Sequence, residues 1–527
     1  MPLPRLFPLF VLLLAATSSF AAAPAKKNVL FLIADDLNNL LGCYGDPVAR
    51  TPNIDRLAAR GVRFERAYCA YPLCGPSRNS MLTGLYPNST GIYGNSQIFR
   101  QFIPAHHSLS QTFRLQGWFA GRIGKLYHYG VPNSIGTDGH DDPASWELEL
   151  NPAGVDRLED QDKVFSLIPG SFGGTLSWYA SPKTDRYHTD GLLAADAEWV
   201  LERCARQPER PFFLAVGFFR PHTPYISPRE YFAHYPLEKM RVVQGVKEDQ
   251  ADLPAAALAS YKREQDILTD DLRRQALQAY YASISFMDAQ IGRVVGALDR
   301  LGLADRTIIV FTSDHGYHTG EHGLWQKQSL FEESSRVPLL IVAPGVSAAN
   351  AVARAPVSHV DLYPTLAELA GATAPGGLQG QSLVPMLKDP GVAGRGWALS
   401  QVSRNAGAVA AAATGGGGGK RRASAEKNAA PKFKGAASGS ANRFFGYSLR
   451  TARWRYTEWD EGRQGRELYD HDADPRELTN LAAVPAHAAT VAELSGQLRA
   501  AVKSSFPASG QAPEMKDGLW MPVLTSP

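Results

Sequence analysis

The run Cys74-Gly75-Pro76-Ser77-Arg78 places a sulfur nucleophile four residues before a permanent cation. Pro76 suits the first turn of a helix and Gly84 suits its end, so the run predicts a helix that begins at about Cys74. Residue 74 then lies at the helix N-terminus, where unpaired N–H groups and the helix dipole favour an anion. Arg78 lies on the same helical face and can reach back towards residue 74. The alternative interpretation is an ordinary small buried cysteine before a helix.

Acidic residues follow two apolar segments of the chain. Asp35 and Asp36 come directly after Asn28–Ala34, and Asp314-His315 comes after Thr307–Thr312. Ligand sites of open α/β sheets gather at the carboxyl ends of the strands, so these carboxylates predict one shared metal site. Ca²⁺ prefers hard oxygen ligands, whereas the imidazole of His315 suits Zn²⁺ better. The residues alone leave both metals open, and an Asp-Asp pair after a strand can also be a simple turn.

Four further basic or titratable residues are candidates for handling an oxyanion. Lys125 and His128 lie three residues apart, His222 follows the apolar segment Phe212–Gly217, and Lys327 lies thirteen residues beyond Asp314. Lysines can neutralise the oxygens of a transferred group, and histidines can supply or remove protons near neutral pH. Each of these residues alone is more often a solvated or structural side chain.

The elements that must position these residues alternate between strands and helices. Continuous apolar runs over Asn28–Ala34, Phe212–Gly217 and Thr307–Thr312 predict strands buried on both faces. Apolar residues at helical spacing from Tyr280 to Leu298 predict a helix that ends before Gly302. The alternation predicts an α/β fold with a large, mostly parallel or mixed sheet flanked by helices.

The character of the chain changes near residue 400. A run of alanine and glycine is followed by the basic segment Lys420–Lys434, and this composition predicts a disordered insert at about 404–443. Beyond it, Trp454–Thr457 predicts a strand, and Val491–Val502 predicts an amphipathic helix. We therefore expect a catalytic α/β domain over 24–399 and a smaller α+β subdomain over 400–527.

The N-terminus and the overall composition indicate the compartment and the class of partner. The apolar run Leu6–Ala16, followed by small residues to Ala21, predicts a signal peptide over residues 1–23. The run is too short to span a bilayer comfortably, so we expect an exported protein, periplasmic or secreted, without stable membrane insertion. A formal net charge of +3 over 527 residues argues against nucleic-acid binding. Four cysteines do not make a disulfide framework.

The longer run Cys74–Gly84, with Cys-x-Pro-Ser-Arg and then Leu-Thr-Gly, resembles the signature of one enzyme family. That family is the type I, formylglycine-dependent sulfatases of the alkaline-phosphatase-like superfamily, and within it the chain is most similar to the iduronate-2-sulfatases. The passages that carry the closer similarity are Leu41–Asp46 with Thr51–Asp55, Pro211–Pro224, Thr312–Lys327 and Ser448–Trp459.

The resemblance implies a modified residue, a metal and a set of sulfate contacts. Cys74 would be oxidised to formylglycine (3-oxoalanine) by a formylglycine-generating enzyme, which would recognise Ser77 among other residues. One Ca²⁺ per chain would be held by Asp35, Asp36, residue 74, Asp314 and His315; the Asp-His pair is shared with the iduronate-2-sulfatases. The residues implied to contact the nucleophile or the sulfate are Arg78, Lys125, His128, His222 and Lys327.

The resemblance also implies a substrate, a sulfated carbohydrate. A thiol is a poor nucleophile for a sulfate ester, whereas a hydrated aldehyde offers one hydroxyl for attack and a second for release of sulfate. We expect hydrolysis of a 2-O-sulfated uronate in glycosaminoglycan degradation, and His322, Arg220 and Lys183 are candidates by type for binding its carboxylate. The alternatives are a phosphoester or phosphonate hydrolase of the same superfamily, a sulfatase for algal galactans, and a non-catalytic polysaccharide binder with unmodified Cys74.

Overall fold

The computed structural model describes residues 26–407, 409 and 443–516; the predicted signal peptide and most of the predicted insert lie outside the described residues. The strands are β1 (Asn28–Ala34), β2 (Val62–Phe64), β3 (Ala67–Tyr68), β4 (Phe119–Gly124), β5 (Leu148–Leu150), β6 (Phe165–Ser166), β7 (Ser177–Ser181), β8 (Phe212–Gly217), β9 (Tyr225–Pro228), β10 (Thr307–Ser313), β11 (Arg336–Val337), β12 (Leu339–Val342), β13 (Ala351–Ala353), β14 (Val357–Ser358), β15 (Trp397–Asn405), β16 (Arg443–Thr451), β17 (Trp454–Trp459) and β18 (Arg466–Asp470). The α-helices are α1 (Pro52–Ala58), α2 (Cys74–Thr83), α3 (Pro87–Thr90), α4 (Leu109–Leu115), α5 (Val155–Leu158), α6 (Thr189–Ala205), α7 (Arg229–Phe232), α8 (Val246–Asp249), α9 (Ala255–Leu258), α10 (Asp270–Arg300), α11 (Glu332–Ser335), α12 (Leu362–Ala370), α13 (Val384–Lys388) and α14 (Ala488–Ser504).

A mixed sheet forms the centre of the larger unit. Its strand order is β13-β2-β12-β10-β1-β8-β4-β5, and the strands from β10 to β5 are all parallel to their neighbours. Only towards the other edge does β12 run antiparallel to both β10 and β2. The predicted fold class, a large and mostly parallel sheet flanked by helices with a smaller unit at the C-terminus, is confirmed.

Strand β1 is buried on both faces, as its continuous apolar run predicts. Leu30 and Leu32 pack into the core on the side of α6 and α10, while Val29 and Phe31 pack into the core on the side of α4 and α12. Because helices cover both faces, a polar side chain in β1 loses its hydration. The central strands are therefore fixed between two apolar layers, which holds their carboxyl ends in place.

Two helices matter most for the site, and both follow their sequence signals. Helix α2 begins at Cys74 and ends before Gly84, whose φ of 66° is the left-handed conformation expected after a helix. Helix α10 begins ten residues earlier than predicted, because its first turns are capped by Thr269 and largely polar instead of apolar. Hydrophobic spacing detects only the buried part of such a helix.

The C-terminal unit is an antiparallel sheet of β15 to β18 with α14 packed against it. Helix α14 buries Leu494 and Leu498 against the sheet. The paired residues Asn405 and Arg443 lie within the predicted insert of about 404–443, so its first and last residues belong to β15 and β16. Within the described ranges, no helix combines the length and the apolar character needed to span a bilayer.

Candidate active site

Four adjacent parallel strands bring polar residues to one edge of the central sheet. Ala34 of β1 is paired with Ser313 of β10, so the residues that follow, Asp35 and Asp314, emerge side by side. On the other side of β1, β4 ends directly before Lys125, and the segment after β8 carries His222. These are the carboxyl ends of the strands, where α/β sheets place their ligands.

Cys74 lies at the N-terminus of α2, above this edge, and is 1% exposed. Its Sγ is 3.3 Å from Nε2 of His315 and 3.3 Å from Nζ of Lys327, and Oδ1 of Asp36 lies 3.9 Å away. Burial alone would raise the pKa of Cys74, but Lys125, Lys327 and His315 hold it well below the ordinary thiol value. The surroundings of residue 74 therefore stabilise a negative charge.

Arg78 joins the two acidic strand ends from beneath. Its Nε donates to Asp314 Oδ2 at 2.9 Å, one Nη donates to Asp35 Oδ1 at 3.1 Å, and the other donates to the carbonyl of Lys125 at 2.7 Å. Burial would raise the pKa of Asp314, but Arg78 and His315 lower it well below the ordinary carboxyl value. Arg78 therefore contacts the carboxylates that follow β1 and β10.

The acidic residues form a group that fits a divalent cation. Ligand atoms of Asp36, Cys74, Asp314 and His315 all lie within 4.8 Å of one another, and Asp35 belongs to an overlapping group. Asp36 has a φ of 63°, and its N–H donates to Asp314 Oδ1 at 3.1 Å. A left-handed backbone at an aspartate costs free energy, and such strain is typical of functional sites. Three buried carboxylates give an oxygen-rich set, which matches a hard cation with additional nitrogen from His315.

Two lysines and a histidine lie beside these carboxylates; Lys327 and His222 also line a cleft, whereas Lys125 is fully buried. Lys125 Nζ is 2.6 Å from Asp35 Oδ2, Lys327 Nζ is 2.6 Å from Asp36 Oδ1, and His222 Nε2 is 3.7 Å from Asp36 Oδ2. The cleft has a volume of about 240 Å³. The structure brings together all ten site residues named from the sequence: Asp35, Asp36, Cys74, Arg78, Lys125, His128, His222, Asp314, His315 and Lys327.

Lys262 also lines this cleft, although nothing in the sequence pointed to it. It lies in the loop between α9 and α10, and its ammonium group donates to the carbonyl of Gly174. Burial lowers its pKa, and the nearby charge of Lys327 acts in the same direction. A lone lysine in an irregular loop has no periodicity or motif, so only the fold reveals its position.

Arg220, Lys183 and His322 were proposed by type to bind a substrate carboxylate. None of them is among the described residues that line the cleft. Arg220 is buried against Asp156, with a 2.6 Å contact between Nη2 and Oδ2. Lys183 is 48% exposed, and its Nζ lies 3.8 Å from Glu159 on the surface. His322 is buried beside Asp249. Each has an acidic neighbour elsewhere and none of the three lines the cleft, so that expectation was wrong.

A mixed sheet that gathers carboxylates, lysines and a buried cysteine at its strand ends can bind an oxyanion ester and hydrolyse it. The protein-family model described as "Sulfatase" matches residues 27–372, and the chain belongs to the sulfatase family. It is a sulfuric ester hydrolase by this membership. The motif around Cys74 and the acidic strand ends both lie inside the matched range.

Individual relatives agree with this assignment. The chain is 33% identical to a sulfatase of Formosa agariphila over 87% of this chain and 83% of that protein. It is 32% identical to the iduronate 2-sulfatase of Mus musculus over 69% of this chain and 72% of that protein. The solved phosphonate monoester hydrolase of Agrobacterium radiobacter superposes with a TM-score of 0.70 at 23% identity, covering 91% of this chain and 96% of that one, and so shares the fold.

Proposed function

We propose that this sulfatase is exported and removes the 2-O-sulfate from a uronate of a sulfated polysaccharide, acting in glycosaminoglycan degradation. The observation that carries the proposal is the ring of positive and titratable groups around residue 74. Lys125, Lys327, His128 and His222 surround a position that already favours an anion. Similarity to two iduronate 2-sulfatases, of mouse and human, supports the choice of sugar.

We further propose that a formylglycine-generating enzyme converts Cys74 to 3-oxoalanine during maturation. The hydrated aldehyde would supply one hydroxyl that attacks sulfur and a second that allows sulfate to leave. Lys125 and Lys327 stand where they can neutralise the oxygens of the bound sulfate. His128 and His222 lie on the walls of the cleft, where each can hold or move a proton for the leaving alkoxide.

Ca²⁺ is the metal that fits the donor set best. Asp35, Asp36, Asp314, His315 and residue 74 would hold it, since three of these five side chains are carboxylates. Bound there, it would add positive charge beside the sulfate and beside the nucleophile. Zn²⁺ is less suitable, because it prefers nitrogen and sulfur ligands and this group offers one imidazole and one sulfur beside three carboxylates.

The substrate assignment is tested with defined sulfated disaccharides and the purified, matured protein. We expect the highest kcat/KM on a 2-O-sulfated uronate at the non-reducing end. The values for 6-O-sulfated hexosamine and carrageenan oligosaccharides should be lower, and the value for aryl phosphate should be the lowest. A preference for either of the other sulfated sugars by more than about tenfold, or ~1.4 kcal/mol, would reject the uronate. Faster turnover of aryl phosphate or phosphonate than of aryl sulfate would contradict the sulfate-ester assignment in solution.

Lys262 provides the first specific prediction about this substrate, because its ammonium group lies in the cleft and can meet the uronate carboxylate. Lys262→Met should lower kcat/KM on the uronate about 10- to 100-fold, the range of one lost charge-assisted hydrogen bond. Activity on a small aryl sulfate, which has no carboxylate, should stay within about twofold. The measurement is a pair of steady-state assays with the two substrates.

The control for Lys262→Met is Lys183→Met, which removes a lysine that is paired on the surface and stands apart from the cleft lining. This variant should leave both activities unchanged. Equal losses on the two substrates in Lys262→Met would show that Lys262 supports the shape of the cleft instead of binding a carboxylate. Lys262→Met should leave kcat/KM unchanged on a uronate whose carboxyl group has been reduced.

A further inference from the structure

A second group of potential ligands lies where the catalytic unit meets the C-terminal unit. It consists of His318, His322 and Glu333, with Glu477 beside them, and is called the junction cluster below. Ligand atoms of His322, Glu333 and Glu477 lie within 4.8 Å of one another. Glu333 Oε2 is 3.7 Å from His322 Nε2 and 4.0 Å from His318 Nδ1. The cluster is separate from the residues that surround Cys74.

Three atoms of the junction cluster are buried and unsatisfied. Nδ1 of His318, Nε2 of His322 and Oε2 of Glu333 have no hydrogen-bond partner within the part of the chain that the structure describes. Both histidines are at most 1% exposed. Burial raises the pKa of Glu333 to about 8, although the nearby imidazole of His322 acts in the opposite direction. Native structures rarely leave three converging polar atoms unpaired, so an additional ligand is expected at their centre.

The other ring nitrogen of each histidine has a hydrogen-bond partner, as is usual for histidines that bind a metal. Nδ1 of His322 lies 3.0 Å from Oδ2 of Asp249, and Nε2 of His318 lies 2.6 Å from Oγ of Ser329. A carboxylate or hydroxyl that accepts the N–H of one ring nitrogen fixes the tautomer and leaves the lone pair of the other free for a metal. The ring of His322 is also stacked on Phe331 with centroids 3.9 Å apart, which fixes its orientation.

An acidic cleft borders the cluster at His322. The cleft has a volume of about 400 Å³, and His322 forms part of its wall. Glu248, Asp249, Asp252 and Glu321 line it, and Arg476 is the one arginine among the described residues of its wall. Clefts lined by one sign of charge concentrate ions of the opposite sign.

From this geometry we propose a second metal site, in which His318, His322 and Glu333 bind a divalent transition metal of the Zn²⁺ class, with Glu477 or water completing the coordination. Two imidazoles and one or two carboxylates suit Zn²⁺, unlike the oxygen-rich set at the sheet edge. Lys327 lies between His322 and Glu333 in the chain, so the metal fixes both ends of the loop that carries this lysine. The site does not depend on the identity of the sulfated substrate.

The test uses the full-length protein, stripped of metal and kept in excess Ca²⁺ so that the oxygen-rich site is occupied. Added Co²⁺ should produce visible d–d absorption that saturates at one equivalent per chain and is displaced by Zn²⁺. Zn²⁺ should also raise the melting temperature in a concentration-dependent manner, because it binds the folded state. His318→Ala and the isosteric Glu333→Gln should each remove the absorption and the thermal shift.

The control is His106→Gln, which changes a half-buried histidine whose Nε2 contacts the carbonyl of Thr83 and which belongs to none of the candidate metal-binding groups. It should retain the full Co²⁺ spectrum. Absence of the absorption in the wild-type protein would show that the cluster holds only an ion pair or ordered water. Absorption that survives in Glu333→Gln, which keeps the size of the side chain, would place the metal elsewhere and overturn the proposal.

Discussion

Replacing Cys74 with alanine should abolish multiple turnover of sulfate esters while the protein stays folded. The side chain is buried among Lys327, His315 and Asp36, and it is the group at the helix N-terminus that the site is built to keep negative. Alanine leaves the cations that bind sulfate but removes the reactive atom. We expect kcat/KM to fall by about 10⁴ or more, the order seen when a catalytic nucleophile is removed.

Cys74→Ser separates attack from release. A serine hydroxyl can accept a sulfuryl group but has no second hydroxyl to expel it, so we expect at most one turnover and a protein that becomes heavier by one sulfuryl group (SO₃). Intact-mass spectrometry detects that species, and circular dichroism checks the fold. Cys204→Ala is the matched control, since Cys204 is a buried free thiol of α6 in the core under the sheet. Normal multiple turnover by folded, alanine-substituted protein would disprove the role of residue 74.

Much of the site could be predicted because the carboxyl end of a buried strand can be recognised in the sequence. A continuous apolar run followed by acidic residues indicates both a buried strand and the edge where it ends, so the sequence predicts that Asp35 and Asp314 share one edge of the sheet. The pairing of Ala34 with Ser313 then places them side by side. The helix that starts at Cys74 was equally visible, because Pro76 and Gly84 are local signals.

What could not be predicted depends on contacts between distant segments. Arg220 and His322 have the right chemistry for an anion, but Asp156 and Asp249, more than sixty residues away in sequence, hold them elsewhere. Lys262 occupies the cleft only because its loop packs over Gly174. Residue type gives the chemistry that a side chain can perform, and the tertiary partner decides whether it is free to perform it.

Arg78→Lys should be the most damaging conservative substitution in the chain. The guanidinium makes three separate donations, to Asp314, to Asp35 and to the carbonyl of Lys125, and so ties three strand ends together. Lysine keeps the charge but offers one point donor, which cannot reproduce this fork. One or both carboxylates then lose a buried partner and turn from the orientation that suits a divalent cation.

We expect kcat for Arg78→Lys to fall about 10³-fold, comparable to losing one preorganised electrostatic group, and the affinity for Ca²⁺ to weaken in calorimetric titrations. Arg100→Lys is the control, because Arg100 is also fully buried and donates through Nε and Nη2 to one carboxylate, that of Asp142, away from the sheet edge. Arg100→Lys should lower the free energy of unfolding about as much as Arg78→Lys does, by about 3–5 kcal/mol at most. The folded fraction should keep its turnover number. If the two variants lose kcat equally, the damage comes from a weakened scaffold. If only Arg78→Lys loses it, the fork that joins the strand ends is what sets the geometry of the metal and the nucleophile.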